Sequence, residues 1–219
     1  MDGSGLRGRV GSVKSDDFDS SEPLVLKLGG SLLDLWNLGD LLQWFGRGRR
    51  VLIVPGGGEA ADTVRRLDVH GFLTTEQSHW MAIEAMSFNA GVLRRTLPVL
   101  SAADGLESTP WKWPEGRPLI LDAAGWLMGS GSAVSARIPA SWDATSDSIA
   151  AIVAAAIGVE SLILGKSCEP CSVAVADLAA AGQVDTCFPG FAGKLKLAWC
   201  NFRATSPKVR CVGNRDGTG

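Results

Sequence analysis

The chain has 219 residues, enough for one well-packed domain, and its 46% hydrophobic and 20% charged residues are the balance of an ordinary globular protein. A net charge of −2 gives no sign of a nucleic-acid-binding or membrane-binding surface, and no apolar run is long enough to span a bilayer. The odd number of cysteines and the absence of a signal-like apolar stretch near Met1 favour reduced thiols, so we expect a cytoplasmic protein. Cys168 and Cys171 have metal-site spacing, but we interpret the cysteines as packed apolar thiols.

Termini rich in Gly, Ser and Asp flank alternating strand and helix patterns. We expect residues 1–22 to be a disordered leader, residues 23–212 one domain and residues 213–219 a disordered tail. The elements predicted in the first half are a strand at 24–28, a helix at 31–45 interrupted near Gly39, a strand at 51–54, a helix at 59–67, and a helix at 75–95 opened by a capping box from Thr74 to Gln77.

The second half continues the alternation. Its predicted elements are a strand at 97–101, a loop at 107–117, a strand at 118–122, a helix at 148–157, a strand at 159–164, helices at 173–181 and 189–202, and a strand at 208–212. Strands that alternate with helices predict an α/β fold, a three-layer αβα sandwich around a mainly parallel sheet.

Glycine-rich turns follow the first two predicted strands. Ligands of an open α/β sheet bind at the carboxyl ends of its strands, where glycine lets backbone N–H groups approach phosphate oxygens. Two such turns predict a phosphate site, and they comprise Gly29, Gly30 and Ser31, then Gly56, Gly57 and Gly58.

Several charged residues near these turns have two interpretations each. Lys27 lies among apolar neighbours, so its ammonium either reaches a partner such as a phosphate or snorkels to a solvated sheet end. Asp147 is a helix cap, a carboxylate that holds lysine ammonium groups at the phosphates, or both. Arg65 and Lys194 are either surface residues or ligands of an anion, and we interpret His79 as structural.

These motifs resemble the signature series of the amino-acid-kinase superfamily. The resemblance covers residues 24–212 and rests on Lys27-Leu-Gly-Gly-Ser31, Pro55-Gly-Gly-Gly-Glu59, Thr145-Ser-Asp-Ser148 and Lys194. Stretches at 54–59, 64–65, 78–79, 142–148 and 184–189 further resemble the small kinases of methanofuran biosynthesis, which phosphorylate aminomethylfuran-methyl phosphate to its diphosphate.

The resemblance implies the amino-acid-kinase fold and phosphoryl transfer from ATP, with Mg²⁺, to a small phosphate monoester, without protein metal ligands. The implied catalytic residues are Lys27 at the transferred group, Asp147 as organiser of the lysines, and Lys194 on the ATP side. The implied nucleotide-phosphate ligands are Gly29, Gly30, Ser31 and Lys166, and the implied acceptor ligands are Gly56, Gly57, Gly58, Arg65 and Thr145. The superfamily also implies a homo-oligomer, commonly associated through the helix that we predict at 75–95.

One stretch departs from the superfamily pattern. Lys166-Ser-Cys-Glu-Pro170 stands where a Thr-Asp-x-x-Gly turn normally holds the nucleoside, so we expect weak ATP binding with little selectivity for the base. The alternatives are a non-catalytic protein of this fold that binds an anion or a partner, and a kinase for another acceptor. We expect Lys27→Ala and Asp147→Asn to abolish transfer and leave the fold intact.

Overall fold

The computed structural model describes residues 22–103, 106 and 109–213. Within these residues one sheet is formed by β1 (Leu24–Leu28), β2 (Val51–Pro55), β3 (Ser101–Ala102), β4 (Leu119–Ile120), β5 (Ser161–Lys166), β6 (Lys196–Asn201) and β7 (Val209–Val212). Their order is β3-β4-β2-β1-β5-β6-β7, and every neighbouring pair is parallel except β6 and β7. Apart from Glu22 and Gly213, the predicted leader and tail lie outside the described residues.

Helices cover both faces of the sheet. They are α1 (Leu38–Gly46), α2 (Gly58–Val69), α3 (Thr75–Thr96), α4 (Ala123–Met128), α5 (Ser132–Ser135), α6 (Ser146–Ala156), α7 (Val175–Ala180) and α8 (Phe188–Ala192), with short 3-10 turns at Gly30–Leu32 and Pro110–Lys112. The predicted capping box opens α3: the Thr74 hydroxyl accepts from the Gln77 amide, and the Thr74 amide donates to the Gln77 side chain over 2.8 Å. No helix in the described part of the chain has the length and apolar character of a membrane span.

The strands bury two separate apolar clusters, one on each face of the sheet. In β1, Val25 packs into the cluster that contains α6, whereas its neighbour Leu26 packs into the cluster that contains α1. Successive side chains of a strand point to opposite faces, and a parallel sheet covered on both faces therefore reads as a continuous apolar run. The predicted three-layer αβα sandwich with a mainly parallel sheet is confirmed.

Several predicted elements differ from the structure: the strand predicted at 118–122 is reduced to Leu119–Ile120, and the helices α4 and α5 that follow it were not predicted. The helix predicted at 189–202 ends at Ala192, and its second part is β6, in which Leu197 pairs with Leu162 of β5. A short apolar run does not distinguish a buried strand from a helix, and sheet pairing decides between them. The helix predicted at 31–45 is divided before Leu38, so that Gly39 lies inside α1, and the strand predicted at 97–101 is reduced to Ser101–Ala102.

Candidate functional site

A buried carboxylate lies between two lysine ammonium groups near the carboxyl ends of β1 and β5. Lys27 Nζ is 2.9 Å from Asp147 Oδ1, and Lys166 Nζ is 2.9 Å from Asp147 Oδ2. Sheet register accounts for the meeting: Lys27 pairs with Leu164, and Lys166 comes two residues later on the same face. That face is covered by α6, whose first turn carries Asp147. We call these three residues the Lys-Asp-Lys cluster.

Burial and charge oppose each other in the Lys-Asp-Lys cluster. Burial raises the pKa of Asp147, but attraction by Lys27 and Lys166 outweighs it, and the pKa lies below its ordinary value. Burial lowers the pKa of Lys166 to about 8; the charge of Lys27 acts in the same direction, and Asp147 opposes both. Lys166 also donates to the Gln183 carbonyl over 2.6 Å and lies 5.5 Å from the centroid of the Trp199 ring. With both lysines protonated, the cluster carries one net positive charge.

The two glycine turns touch each other through their main chains. The Gly56 amide donates to the Leu28 carbonyl over 2.7 Å, which ties the second turn to the end of β1. A Cβ at Gly30 would lie 2.3 Å from the Gly58 nitrogen, so no side chain fits there. Gly58 has φ +51°, a conformation that glycine adopts without strain. The turns predicted for the nucleotide and for the acceptor therefore lie side by side.

The side chain of Asn89 in α3 binds the main chain of the second glycine turn. Its Nδ2 donates to the carbonyls of Gly56 and Gly57 over 2.8 and 2.9 Å. The side chain is buried, and a buried amide must find such partners. Asn89 has no local sequence signal, because its partners are 33 and 32 residues away.

A cavity of about 200 Å³ opens beside the two turns, between α2, α3 and the segment that leads into α6. Gly30 and Ser31 of the first turn line it. All the predicted acceptor ligands line it as well, namely Gly56, Gly57, Gly58, Arg65 and Thr145. The amino ends of α2 and α6 also lie at its wall, through Gly58 and Ser146. Helix amino ends favour anions, so the cavity suits a phosphorylated ligand.

The far end of the cavity carries one arginine and one fixed carboxylate. Arg65 lies over the Trp142 ring, 4.4 Å from its centroid, and its Nη1 is 2.5 Å from Asp62. Asp68 accepts from the Ser78 hydroxyl over 2.5 Å and from the Trp142 indole over 2.7 Å. The Ser78 bond and then the Trp142 bond lower the pKa of Asp68, so the carboxylate stays ionised.

His79 is a further titratable side chain that lines the cavity. Burial lowers the pKa of His79, so its imidazole is mainly neutral at pH 7. The residue that the sequence suggests is structural thus lies at the cavity wall.

Asp185 caps α6 from outside the helix. Its Oδ2 accepts from the Thr145 amide, the Thr145 hydroxyl and the Ser148 amide, each over 2.9 Å, and its Oδ1 accepts from the Ser148 hydroxyl. The capping interpretation of Asp147 is therefore wrong: Asp147 sits in the first turn and contacts the lysines. A cap supplied from 40 residues away is invisible to local sequence patterns.

Lys194 does not join the Lys-Asp-Lys cluster. It is exposed and precedes β6, whose first residue Lys196 pairs with Ser161 at the amino end of β5. Lys166 lies five residues beyond Ser161, roughly 16 Å away at about 3.3 Å per residue. A lysine side chain is too short to span that distance. The second lysine that contacts Asp147 is therefore Lys166, and Lys194 does not contact it.

Side-chain hydrogen bonds hold the segment 168–171, which follows β5. Gln183 donates to the Glu169 carbonyl over 2.9 Å and accepts from the Cys171 amide over 2.8 Å. The Trp199 indole donates to the Cys168 carbonyl over 2.7 Å. Both cysteines are free and exposed, which corrects the interpretation that they are packed in a core.

Comparison with known proteins gives one curated relative and several related folds. No family model matches the chain. The (5-(aminomethyl)furan-3-yl)methyl phosphate kinase of Methanocaldococcus jannaschii is 27% identical over 143 residues, which are 64% of this chain and 63% of that protein. The match thus spans less than two thirds of the relative's length.

Two solved structures superpose over most of the chain. UMP kinase from Ureaplasma parvum has a TM-score of 0.59 at 16% identity and covers 89% of this chain and 97% of its own. Uridylate kinase from Archaeoglobus fulgidus has a TM-score of 0.54 at 15% identity, with coverages of 86% and 91%. At these identities the two structures establish a shared fold.

Proposed function

Because this chain is related to the amino-acid-kinase superfamily and has its fold, we propose that it transfers a phosphoryl group from ATP to a small phosphate monoester. One observation carries the proposal: Asp147 is held between Lys27 and Lys166, directly beside two glycine turns in main-chain contact. The acceptor that we favour is aminomethylfuran-methyl phosphate, since the M. jannaschii relative is named for it. The product is then its diphosphate.

The chemistry depends on position and charge. Lys27 presents its ammonium to the transferred group from a buried strand, and Asp147 fixes the direction of the side chain. Backbone N–H groups of the two turns bind phosphate oxygens of donor and acceptor. Charge in the transition state of phosphoryl transfer is spread over the equatorial oxygens, so a fixed cation stabilises it more than a mobile one.

No general base is required. A phosphate monoester has a second pKa of about 6 and is largely ionised near neutral pH. Its oxygen attacks without losing a proton in the same step, provided that the cavity holds it in line. His79 lines the cavity but need not accept a proton.

Mg²⁺ in phosphoryl-transfer sites is usually held by substrate phosphates with one or two carboxylates. Across the described residues, no group of three or more His, Cys, Asp or Glu side chains is placed to hold a metal ion. The Asp147 carboxylate is already paired with two ammonium groups. Mg²⁺ would therefore be held by the phosphate oxygens of ATP.

A second function is favoured by the segment after β5. Gln183 and Trp199 hold residues 168–171 in place of the superfamily's nucleoside turn. A protein of this fold that binds a phosphorylated ligand without turning over ATP would keep the glycine turns and lose that turn. This alternative predicts anion binding in the cavity and no ADP formation.

Phosphorus NMR of the protein with Mg-ATP and aminomethylfuran-methyl phosphate tests the proposal. We expect ADP and a diphosphate from the wild type, and at least about a hundredfold lower rate from Lys27→Ala, because losing a transition-state charge contact costs a few kcal/mol. Lys208→Ala, which removes an exposed lysine before β7, is the matched control and should react like the wild type. Circular dichroism checks folding.

Two results would decide against the proposal. Near-normal turnover by Lys27→Ala would refute the role of that lysine. Calorimetric binding of the furan phosphate without any ADP formation by the wild type would establish the second function instead.

A further inference from the structure

The carboxyl ends of β1, β5 and β6 meet at one place beside the first glycine turn. The Phe202 amide donates to the Lys166 carbonyl over 2.9 Å, which fixes the end of β6 next to β5. The Ser31 and Ser167 hydroxyl oxygens are 3.2 Å apart, which links the first turn to the residue after Lys166. Arg203, which follows Phe202 after the end of β6, donates from Nη2 to the Ser31 carbonyl over 2.7 Å. Arg203 therefore lies beside the first glycine turn, which is the turn predicted to bind the phosphates of the nucleotide.

Arg203 retains free hydrogen-bonding capacity in this position. Nη2 also lies 2.5 Å from Asp34 Oδ1, and among the described residues neither Nε nor Nη1 has a hydrogen-bond partner. The side chain is 40% exposed and that of Asp34 is 73% exposed. An exposed ion pair of this kind contributes little to stability, so an incoming phosphate can displace Asp34 from the guanidinium at little cost.

The positive charge of the Lys-Asp-Lys cluster is smaller than the negative charge of the phosphates that the site would bind, so a further cation beside the first glycine turn would favour binding. The Lys-Asp-Lys cluster supplies one net positive charge, whereas a single phosphate ester alone carries about −1.5 to −2 near pH 7. At the acceptor end of the cavity the charge of Arg65 is offset by its ion pair with Asp62, and Lys194 lies near the amino ends of β5 and β6, away from the cluster. A guanidinium binds pairs of phosphate oxygens with its planar fork, which an ammonium does not.

We propose that Arg203 binds the polyphosphate chain of the donor nucleotide, with the hydroxyls of Ser31 and Ser167 as neutral partners. The inference rests on the proposed kinase function and assigns to Arg203 the donor-side role that the sequence suggested for Lys194. In this proposal Nε and Nη1 donate to phosphate oxygens, while Nη2 remains on the Ser31 carbonyl. Arg203 thus couples donor binding to the first glycine turn.

Calorimetry with inorganic tripolyphosphate and with Mg-ATP tests Arg203 without requiring turnover. We expect Arg203→Ala to bind both at least about tenfold more weakly, since charge-assisted bonds to phosphate are the strong ones. Arg203→Lys should recover only part of this loss, and added guanidinium ion should partly restore binding by Arg203→Ala. Binding of the furan phosphate acceptor should be unchanged.

Arg50→Ala is the matched control. Arg50 also donates to a carbonyl, that of Trp111 over 3.1 Å, and pairs with an exposed carboxylate, Glu115 at 3.5 Å, but it precedes β2 at the amino edge of the sheet. Its variant should bind tripolyphosphate like the wild type.

Several outcomes would overturn the inference. Wild-type affinity for tripolyphosphate in Arg203→Ala would do so, as would a loss confined to Lys194→Ala. An equal loss of acceptor and tripolyphosphate binding would reduce Arg203 to a structural support of the Ser31 turn. If Arg203→Ala loses tripolyphosphate binding while the wild type forms no ADP, the inference stands and the proposed catalysis fails. If the wild type binds neither tripolyphosphate nor Mg-ATP, both fail.

Discussion

Replacing Asp147 by asparagine should destabilise the fold as well as stop phosphoryl transfer. The side chains of Asp147 and Lys27 are each 6% exposed, and that of Lys166 is 13% exposed. Removing one partner of a buried ion pair costs about 3–5 kcal/mol, because the remaining charge stays buried and unpaired. Here two ammonium groups lose the same partner. The loss is a large part of the roughly 5–15 kcal/mol by which such domains are stable, so we revise the expectation that the fold stays intact.

Urea unfolding followed by circular dichroism at pH 7 measures this cost as a shift of the midpoint at constant slope. Glu115→Gln, which breaks an exposed pair with Arg50, is the control and should change stability by less than about 1 kcal/mol. Asp147→Leu combined with Lys27→Met and Lys166→Met should recover much of the loss, since apolar residues of similar size often replace buried ions without cost. A loss below about 1 kcal/mol in Asp147→Asn would refute the reasoning.

Acid should reproduce part of this effect in the wild type. The folded-state pKa of Asp147 lies below its ordinary value of 3.8. Its contribution to the free energy of unfolding is therefore present above pH 3.8 and is lost as the pH falls through the lower folded value.

Three further predictions concern activity, nucleotide selectivity and assembly. The reaction rate should fall above about pH 8 as Lys166 deprotonates, and in Lys166→Arg this fall should occur at a higher pH. Loss of the folded state caused by deprotonation of Lys166 cannot explain this fall in rate. Between about pH 8 and 10.5 Lys166 is protonated in the unfolded chain and deprotonated in the folded chain, so its contribution to the free energy of unfolding rises with pH. Competition titrations should give similar affinities for ATP and GTP, and exclusion of GTP would mean that residues 166–172 read adenine. Sedimentation at micromolar concentration should detect a dimer or larger assembly, because Met81, Phe88 and Val92 expose apolar surface on α3, and a clean monomer would contradict this.

The sequence was informative where chemistry and local pattern coincide. Each glycine turn follows an apolar strand, and Lys27 lies inside its strand, so all are recognisable from a few adjacent residues. The capping box at Thr74 is equally local, and it predicted the start of α3 correctly. These features fix the fold class and the edge of the sheet at which the site lies.

The parts that were missed depend on partners distant in the chain. Lys166 reaches Asp147 only because β5 pairs with β1 in one particular register. Asp185 caps a helix that begins 39 residues earlier, and the apolar run of β6 becomes a strand only by pairing with β5. Lys194 was assigned to the ATP side by the resemblance, and the strand that follows it places it near the amino end of β5. Sequence spacing carries none of this information, since it arises from tertiary pairing.

The main-chain contact between Gly30 and Gly58 has a consequence for how this site tolerates mutation. A methyl group at Gly30 would lie 2.3 Å from the Gly58 nitrogen, so main-chain contact limits the approach of the two turns, while the Asn89 side chain holds the second turn in place. Substitutions that spare Asn89 and the glycines are therefore expected to leave the spacing of the turns unchanged while the rest of the cavity lining varies. Under the proposed kinase function, acceptor preference can drift through such substitutions, whereas the glycines themselves allow no intermediate step.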